Sequence, residues 1–242
     1  MRRVNRTPLS PATARYLQKK QQLIDLAGRE VTKTWDAARK TLPLKEILRT
    51  LQEMMGTGAR CMYCVHSHGA DIDHFWPKAA YPPRAFAWAN LLLCCTECGR
   101  FKGDRFPLDH GRPLLVDPTG VDPWAVLDFD PQTGNLAARF DRRSDGYFRK
   151  GTTTVELLQL DRREALSYEY KKTWRRISRV VARYLSGEEP GAELIDRLLD
   201  ADDHGLLGWC FDGTGVNESP FREWRERDPI TWHACAARVR TL

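Results

Sequence analysis

The chain has 242 residues, of which 42% are hydrophobic and 29% are charged. This length and this balance predict a folded protein with a buried core and exclude a disordered chain. The longest uninterrupted apolar run, residues 91–95, is far shorter than the roughly 20 residues that cross a bilayer. No apolar stretch follows the basic first six residues, so neither a secretory signal nor a membrane partner is expected.

Charge and cysteine content narrow the class of protein further. The 38 Lys and Arg residues outnumber the 32 Asp and Glu residues, which gives a net charge of +6. This excess is compatible with a polyanionic partner but does not identify one. Seven cysteines, an odd number, argue against a disulfide framework and are typical of metal binding in a reducing compartment. We therefore expect a cytoplasmic protein that binds a metal through cysteines.

The first predicted segment, residues 1–56, is helical. Apolar residues recur at intervals near 3.6 between Leu17 and Trp35, which predicts a helix that begins near Ser10. Pro43 is expected to break this helix, and a second helix over residues 44–55 is expected to end at Gly56. Packing against the rest of the fold is the favoured role of both helices.

The second predicted segment, residues 57–118, contains two C-x2-C pairs, Cys61/Cys64 and Cys95/Cys98, with 30 residues between them. Two such knuckles can bind one structural zinc ion through four thiolates, and this ion would perform no chemistry because protein fills every position. Cys94 offers an alternative pairing with Cys98, although C-x2-C is the tighter arrangement. Four buried cysteines without a metal are the other interpretation.

Asp73 and His74 lie between the knuckles, followed by Asn90 before the second knuckle and Lys102 after it. Adjacent side chains of an extended strand point to opposite faces, so one of the first pair can bind a metal while the other addresses a water. His74 is the candidate general base, because imidazole titrates near neutral pH. Asp73 is the candidate ligand of a divalent ion, Mg²⁺ or Mn²⁺. A hydrogen bond to Asp73 without catalysis is the alternative role of His74.

The third predicted segment, residues 119–242, begins with a hairpin whose strands, at 126–129 and 136–140, flank turn residues. Helices are predicted over 154–185, 191–201, 219–227 and 229–240. Four basic residues form the polar face of the longest helix, and this face either is solvated or contacts a nucleic-acid backbone. They are Lys172, Arg176, Arg179 and Arg183. The whole pattern predicts an α+β fold that is mainly helical.

At the two knuckles, Asp73-His74, Asn90 and Lys102, the sequence resembles the HNH endonucleases whose ββα-metal core is bracketed by zinc. More narrowly, the segments around Tyr63 and over 73–78, 88–93, 102–107 and 114–118 are similar to the nuclease subunit of the Septu anti-phage system and its retron-associated relatives. The resemblance implies a core flanked by helical segments. It also implies a nuclease that works with an ABC-type ATPase.

The resemblance further implies roles for single residues. Asn90 would orient His74 through the loop backbone or through its own amide, and Lys102 would contact phosphate unless it is a solvated surface lysine. The family's last metal ligand follows the final knuckle cysteine, but this chain has Gly99 there. Asp104 is the first candidate replacement, unless Asp73 and phosphate oxygens hold the ion alone. The more distant candidates are Asp109, His110, Asp71, His66 and His68.

These expectations combine into one predicted function. The chain is expected to be a metal-dependent HNH endonuclease that hydrolyses phosphodiester bonds of DNA, or of RNA, as the effector of an anti-phage system. Two alternatives stay open. One is a zinc-stabilised nucleic-acid-binding protein whose nuclease site has decayed at Gly99, and the other is a scaffold subunit without affinity for DNA.

Overall fold

The computed structural model describes residues 1–188 and 190–241. It divides into two compact units. The cysteine unit is Val4–Pro113, and the C-terminal unit contains Met1–Arg3 together with the chain from Leu114 onward. The predicted mainly helical α+β fold is confirmed. The three-segment division at residues 56 and 118 stays a prediction, and residues 4–56 fall in the same compact unit as the cysteine-rich segment.

Three helices open the cysteine unit: α1 (Pro11–Asp25), α2 (Val31–Ala38) and α3 (Leu42–Met54). The Ser10 hydroxyl accepts a hydrogen bond from the Thr13 amide and caps α1. Helix α1 ends at Asp25 and the chain turns through Gly28 before α2, a break that the apolar spacing does not predict. Gly28 has a φ of +62°, which glycine adopts without a Cβ penalty. Pro43 lies in the first turn of α3, where its missing N–H costs nothing.

A ββα arrangement follows. Strands β1 (Asp71–His74) and β2 (Leu91–Cys94) pair antiparallel, and α4 (Thr96–Lys102) continues from β2. The register places Asp71 opposite Cys94 and His74 opposite Leu91. All four residues of β2 are buried, so this strand anchors the hairpin in the core and fixes the positions of Asp73 and His74. A short ladder of β3 (Leu108–Asp109) and β4 (Arg112–Pro113) closes the unit.

Two hairpins open the C-terminal unit. The predicted hairpin is confirmed as β5 (Leu127–Phe129) and β6 (Leu136–Ala138). Its turn requires Gly134, because φ is +85° and a Cβ there would lie 2.1 Å from the Ser167 carbonyl oxygen. A second hairpin, β7 (Phe140–Asp141) and β8 (Gly146–Tyr147), was not predicted from the sequence.

The remaining helices are α5 (Arg149–Leu158), α6 (Glu164–Leu185), α7 (Leu194–Ala201), α8 (Leu206–Asp212), α9 (Phe221–Arg227) and α10 (Pro229–Arg240). The predicted helix over 154–185 is interrupted after α5, where Gln159 takes a φ of +50°. Aromatic side chains in mutual contact form the core of this unit: Trp174, Trp209, Phe211, Phe221, Trp224 and Trp232. Among the described helices, none combines the length and the apolar character that a bilayer crossing requires.

Candidate metal centre and catalytic pocket

The two C-x2-C pairs are presented by different local structures. The first is a tight turn in which the Cys61 amide donates to the Ser67 carbonyl oxygen at 2.8 Å and the Val65 amide donates to the Cys61 carbonyl oxygen at 2.8 Å. In the second, Cys95 is the N-cap of α4 and Cys98 lies in the first turn of that helix. The Cys98 amide donates to Cys95 Sγ at 3.5 Å. Both structures aim two sulfur atoms at one point.

The four sulfur atoms of Cys61, Cys64, Cys95 and Cys98 all lie within 4.8 Å of one another, and all four residues are buried. The Cys64 and Cys95 sulfurs are 3.9 Å apart. Tetrahedral zinc with Zn–S bonds of about 2.3 Å separates its sulfur ligands by about 3.8 Å, so the cluster has the dimensions of a zinc site. Cys94 lies outside this set, and its thiol donates to the Cys95 carbonyl oxygen at 3.2 Å.

The thiols of the cluster differ in acidity. Burial raises the pKa of Cys61, whereas the hydrogen bond from the Cys61 thiol holds the pKa of Cys64 well below its ordinary value. Metals bind cysteine as the thiolate, so zinc binding at this cluster would deprotonate its four thiols.

His74 ends strand β1 and is only 6% exposed. Its Nε2 lies 3.0 Å from the Ala85 carbonyl oxygen. A carbonyl oxygen only accepts, so Nε2 carries the proton of the neutral ring and Nδ1 keeps its lone pair. Within the described residues Nδ1 has no hydrogen-bond partner, and no hydrogen bond joins His74 to Asp73. The edge of the ring contacts Trp35, with 4.2 Å between the ring centroids.

The surroundings of His74 keep the ring neutral. Burial, followed by the positive charge of Lys78, lowers the pKa of His74 to about 3. The imidazole is therefore unprotonated at neutral pH and able to accept a proton, but burial, and to a smaller extent the charge of Lys78, makes it a weak base.

Asn90 is buried beside the loop that carries Ala85. Its side-chain oxygen accepts from the Trp76 amide at 2.7 Å, and its side-chain nitrogen donates to the Trp76 carbonyl oxygen at 3.0 Å. The same nitrogen donates to the Arg84 carbonyl oxygen at 2.9 Å. Asn90 thus joins the backbone just after His74 to the backbone just before Ala85, the residue whose carbonyl oxygen fixes the imidazole.

The carboxylate of Asp73 is engaged by two other side chains. The Tyr63 hydroxyl donates to Oδ2 at 2.7 Å, and the Lys102 ammonium lies 3.3 Å from Oδ1 and 3.2 Å from Oδ2. Burial raises the pKa of Asp73, although the charge of Lys102 opposes this effect. Lys102 is 1% exposed and also donates to the His74 carbonyl oxygen at 2.7 Å. This burial contradicts the interpretation of Lys102 as a solvated surface lysine, whereas the phosphate contact stays a prediction, since Lys102 lines the pocket described next.

Asp73 and His74 line a pocket of about 530 Å³. Of the candidate replacement ligands, Asp104 and Asp71 line the same pocket, whereas Asp109, His110, His66 and His68 do not.

Helix α2 adds Asp36 to the pocket lining. The sequence did not predict this residue, because nothing in the local pattern distinguishes it from an ordinary surface aspartate. Arg39 of the same region lies 4.0 Å from the Asp71 carboxylate.

Gly99 lines a smaller neighbouring pocket of about 280 Å³ together with Asp71 and Asp73. A Cβ on Gly99 would meet only the Cys94 sulfur, at 3.6 Å, which is an ordinary contact. Packing therefore does not require glycine here.

In the part of the chain that the structure describes, the four cysteines are the one cluster of three or more metal-binding side chains. A divalent ion near Asp73 would accordingly need oxygen ligands from its substrate or from water.

Comparison with known proteins gives one distant similarity. No protein-family model matches the chain. The chain is 30% identical over 114 residues to the Septu protein PtuB of Bacillus thuringiensis. The similar region covers 45% of this chain and 39% of the relative, so the chain spans well under two thirds of that protein's length.

Proposed function

We propose that this chain is a metal-dependent HNH-type endonuclease that hydrolyses phosphodiester bonds of DNA. The observation that carries the proposal is the setting of His74. Its Nε2 is fixed by the Ala85 carbonyl oxygen, its Nδ1 is left as an acceptor, and the residue lines the same pocket as the carboxylates of Asp73 and Asp104. A neutral, oriented imidazole beside acidic groups is suited to activating a water molecule.

His74 acts as the general base in this proposal and takes a proton from the attacking water at Nδ1. A phosphate group entering the pocket brings negative charge toward Lys78, which lines the same pocket. This charge offsets the effect of Lys78, the second cause of the depression after burial, and raises the pKa of His74 above about 3. Substrate binding thereby strengthens the base that deprotonates the attacking water.

Asn90 and Lys102 are positioning residues. Asn90 holds the backbone on both sides of the loop that carries Ala85. Lys102 ties the His74 carbonyl oxygen to the Asp73 carboxylate. Together they fix the direction of the imidazole and of the carboxylate, and neither needs to touch the substrate.

A hard divalent ion, Mg²⁺ or Mn²⁺, fits this donor set when substrate oxygens complete it, because Mg²⁺ is commonly bound by one or two carboxylates plus phosphate. Asp73 and Asp104 are the residues that would hold it. When bound, the ion supplies positive charge that stabilises the developing charge on the phosphate. The four cysteines hold a separate zinc ion with a purely structural role.

Plasmid nicking with Mg²⁺ or Mn²⁺, comparing the unmodified protein with His74→Ala, tests the proposal. Loss of a general base is expected to slow cleavage by about 10²–10⁴-fold. Equal zinc content and equal circular dichroism of the two proteins serve as the folding control. Equal nicking rates of the two proteins would overturn the assignment of His74.

The binding-protein alternative is favoured by two observations. Both oxygens of Asp73 already have partners in Tyr63 and Lys102, and residue 99 offers no ligand. This alternative predicts tight DNA binding with no cleavage in either divalent ion. Cleavage that requires both the metal and His74 would exclude it.

We further propose that the chain acts in the cytoplasm in anti-phage defence, together with an ABC-type ATPase. The distant similarity to a Septu protein supports this role. Co-expression with an ABC-type ATPase, followed by affinity purification, tests the partnership. A stable complex and reduced phage plaque formation, both requiring the two proteins, are expected. Protection by this chain alone would contradict the partnership.

A further inference from the structure

Strands β7 and β8 of the C-terminal unit present two aromatic rings to solvent. Phe140 and Tyr147 lie directly opposite each other in the ladder and are 47% and 63% exposed. Their ring centroids are 5.5 Å apart and their planes are nearly perpendicular. Opposite residues of a two-stranded ladder share one face, so this pair forms an aromatic surface that the fold of its own unit leaves uncovered.

Two arginines and two aspartates, Asp141 and Asp145, lie at the tip of the same hairpin. The turn between the strands contains the exposed residues Arg142 and Arg143, neither of which has a carboxylate within ion-pair distance among residues 1–188 and 190–241. The nearby carboxylate of Asp141 is used within the turn, where it accepts from the Arg143 amide at 3.0 Å and from the Ser144 hydroxyl at 2.9 Å. The charge of Asp141 also acts on Arg143, but both guanidinium groups lie outside ion-pair distance of a carboxylate within the described residues and can contact an anionic partner.

Most basic side chains on the polar face of α6, in contrast, form ion pairs with carboxylates. Arg176 forms an ion pair with Asp203, and Arg183 lies 3.5 Å from the Glu188 carboxylate. Arg197, which lines the same surface pocket, is paired with Glu193. These carboxylates offset most of the charge that the sequence pattern places there. Arg142 and Arg143, which form no ion pair among the described residues, are stronger candidates for contacts with an anion than these paired arginines.

Exposed aromatic rings and free arginines on one short hairpin match one class of ligand. Aromatic side chains stack on unpaired bases, while arginines contact the phosphates beside them. A duplex hides its base faces and offers nothing for the rings to stack on. We propose that the β7–β8 hairpin binds single-stranded nucleic acid, with Phe140 and Tyr147 as the stacking surface and Arg142 and Arg143 as the phosphate contacts. This inference does not depend on the proposed nuclease activity.

Fluorescence anisotropy with a labelled 20-nucleotide oligo-dT, without added divalent ions, tests the stacking contribution. The double variant Phe140→Leu/Tyr147→Leu keeps an apolar cross-strand pair but removes both rings. Its Kd is expected to rise at least fivefold, because stacking of one base contributes about 1–3 kcal/mol. Tyr168→Leu is the matched control, since Tyr168 is 61% exposed on α6 and outside the hairpin, and its Kd is expected to stay unchanged.

The double variant Arg142→Gln/Arg143→Gln tests the phosphate contacts. Two fewer contacts to a single strand are expected to reduce the slope of log K against log salt concentration by about 1.4. Circular dichroism confirms that each variant is folded. An unchanged Kd in the leucine variant, an equal loss in Tyr168→Leu, or equal affinity for a duplex of the same length would each overturn the inference. Because nothing is cleaved in this assay, its failure is distinct from failure of the nuclease proposal.

Discussion

Lys102 is the residue on which the geometry beside His74 depends most. Its buried ammonium has the Asp73 carboxylate on one side and the His74 carbonyl oxygen on the other. Lys102→Met leaves the carboxylate without its counter-charge, and removing one partner of a buried ion pair commonly costs about 3–5 kcal/mol. We expect the free energy of unfolding in urea to fall by about 3 kcal/mol.

The double variant Lys102→Met/Asp73→Asn separates charge from packing. Because it removes both charges, it is expected to be less destabilised than Lys102→Met alone. Lys45→Met, at an exposed lysine of the same unit, is the control and is expected to change stability by less than about 0.5 kcal/mol. A Lys102→Met protein as stable as this control would show that the ion pair does not stabilise the fold.

The depressed pKa of His74 has a consequence for stability. The folded-state pKa is about 3, whereas an unfolded histidine titrates near 6.5. Between these values the unfolded chain binds the extra proton, so stability falls as the pH falls below about 6.5. Urea unfolding at pH 7.5 and at pH 5.0 is expected to show an extra loss of about 2 kcal/mol that His74→Gln lacks. Acid effects on the zinc thiolates are common to both proteins, so equal losses would contradict the depressed pKa.

The sequence predicted Asp73 and His74 as neighbours at the site, and both line the same pocket. Their roles, which the residue types indicate, stay predictions. Burial of the imidazole against Trp35 and Ala85 joins residues that are distant along the chain. A local pattern contains no such information, and the same holds for the burial of Lys102.

At the scale of elements, helix α4 carries an unusual glycine. Gly99 has helical neighbours on both sides and space beyond its Cα, since a Cβ would meet only the Cys94 sulfur at 3.6 Å. Glycine inside a helix costs about 0.5–1 kcal/mol relative to alanine. Gly99→Ala is therefore expected to raise the free energy of unfolding by this amount, measured by urea denaturation of the zinc-loaded protein.

Gly99→Asn uses the same space to place an amide oxygen beside the pocket that Asp73 lines. If the divalent ion lacks one protein ligand, this variant is expected to lower the Mg²⁺ concentration that gives half-maximal nicking, while Gly99→Ala leaves it unchanged. Equal Mg²⁺ dependence in the two variants would show that residue 99 does not face the ion.

Element boundaries show a second limit of sequence patterns. Apolar spacing found the helices around Trp35 and Trp174 but continued them across the break between α1 and α2, which contains Gly28, and through Gln159, the left-handed C-cap of α5. The hairpin of β7 and β8 was missed because its strands have two residues each. Such strands are too short to display an alternating pattern, and only their pairing in the fold reveals them.

At the scale of the whole molecule, every predicted zinc ligand belongs to the cysteine unit, whereas five of the eight tryptophans lie in the C-terminal unit. These five, Trp124, Trp174, Trp209, Trp224 and Trp232, are buried within a core that contains none of the clustered cysteines. Each unit therefore has its own source of stability. A single two-state transition is not expected for the chain.

Removal of zinc should consequently affect one unit. We expect one zinc ion per chain by elemental analysis. The variant Cys61→Ser/Cys64→Ser, or a strong chelator, is expected to lower the melting temperature of the cysteine unit by more than about 10 °C. The reason is that structural zinc contributes directly to the free energy of folding. The near-ultraviolet signal of the C-terminal tryptophans should persist. Cys210→Ser, at a buried cysteine of the C-terminal unit, is the matched control and should retain full zinc content. A zinc-free protein whose cysteine unit melts at the original temperature would refute the structural role of the four-cysteine cluster.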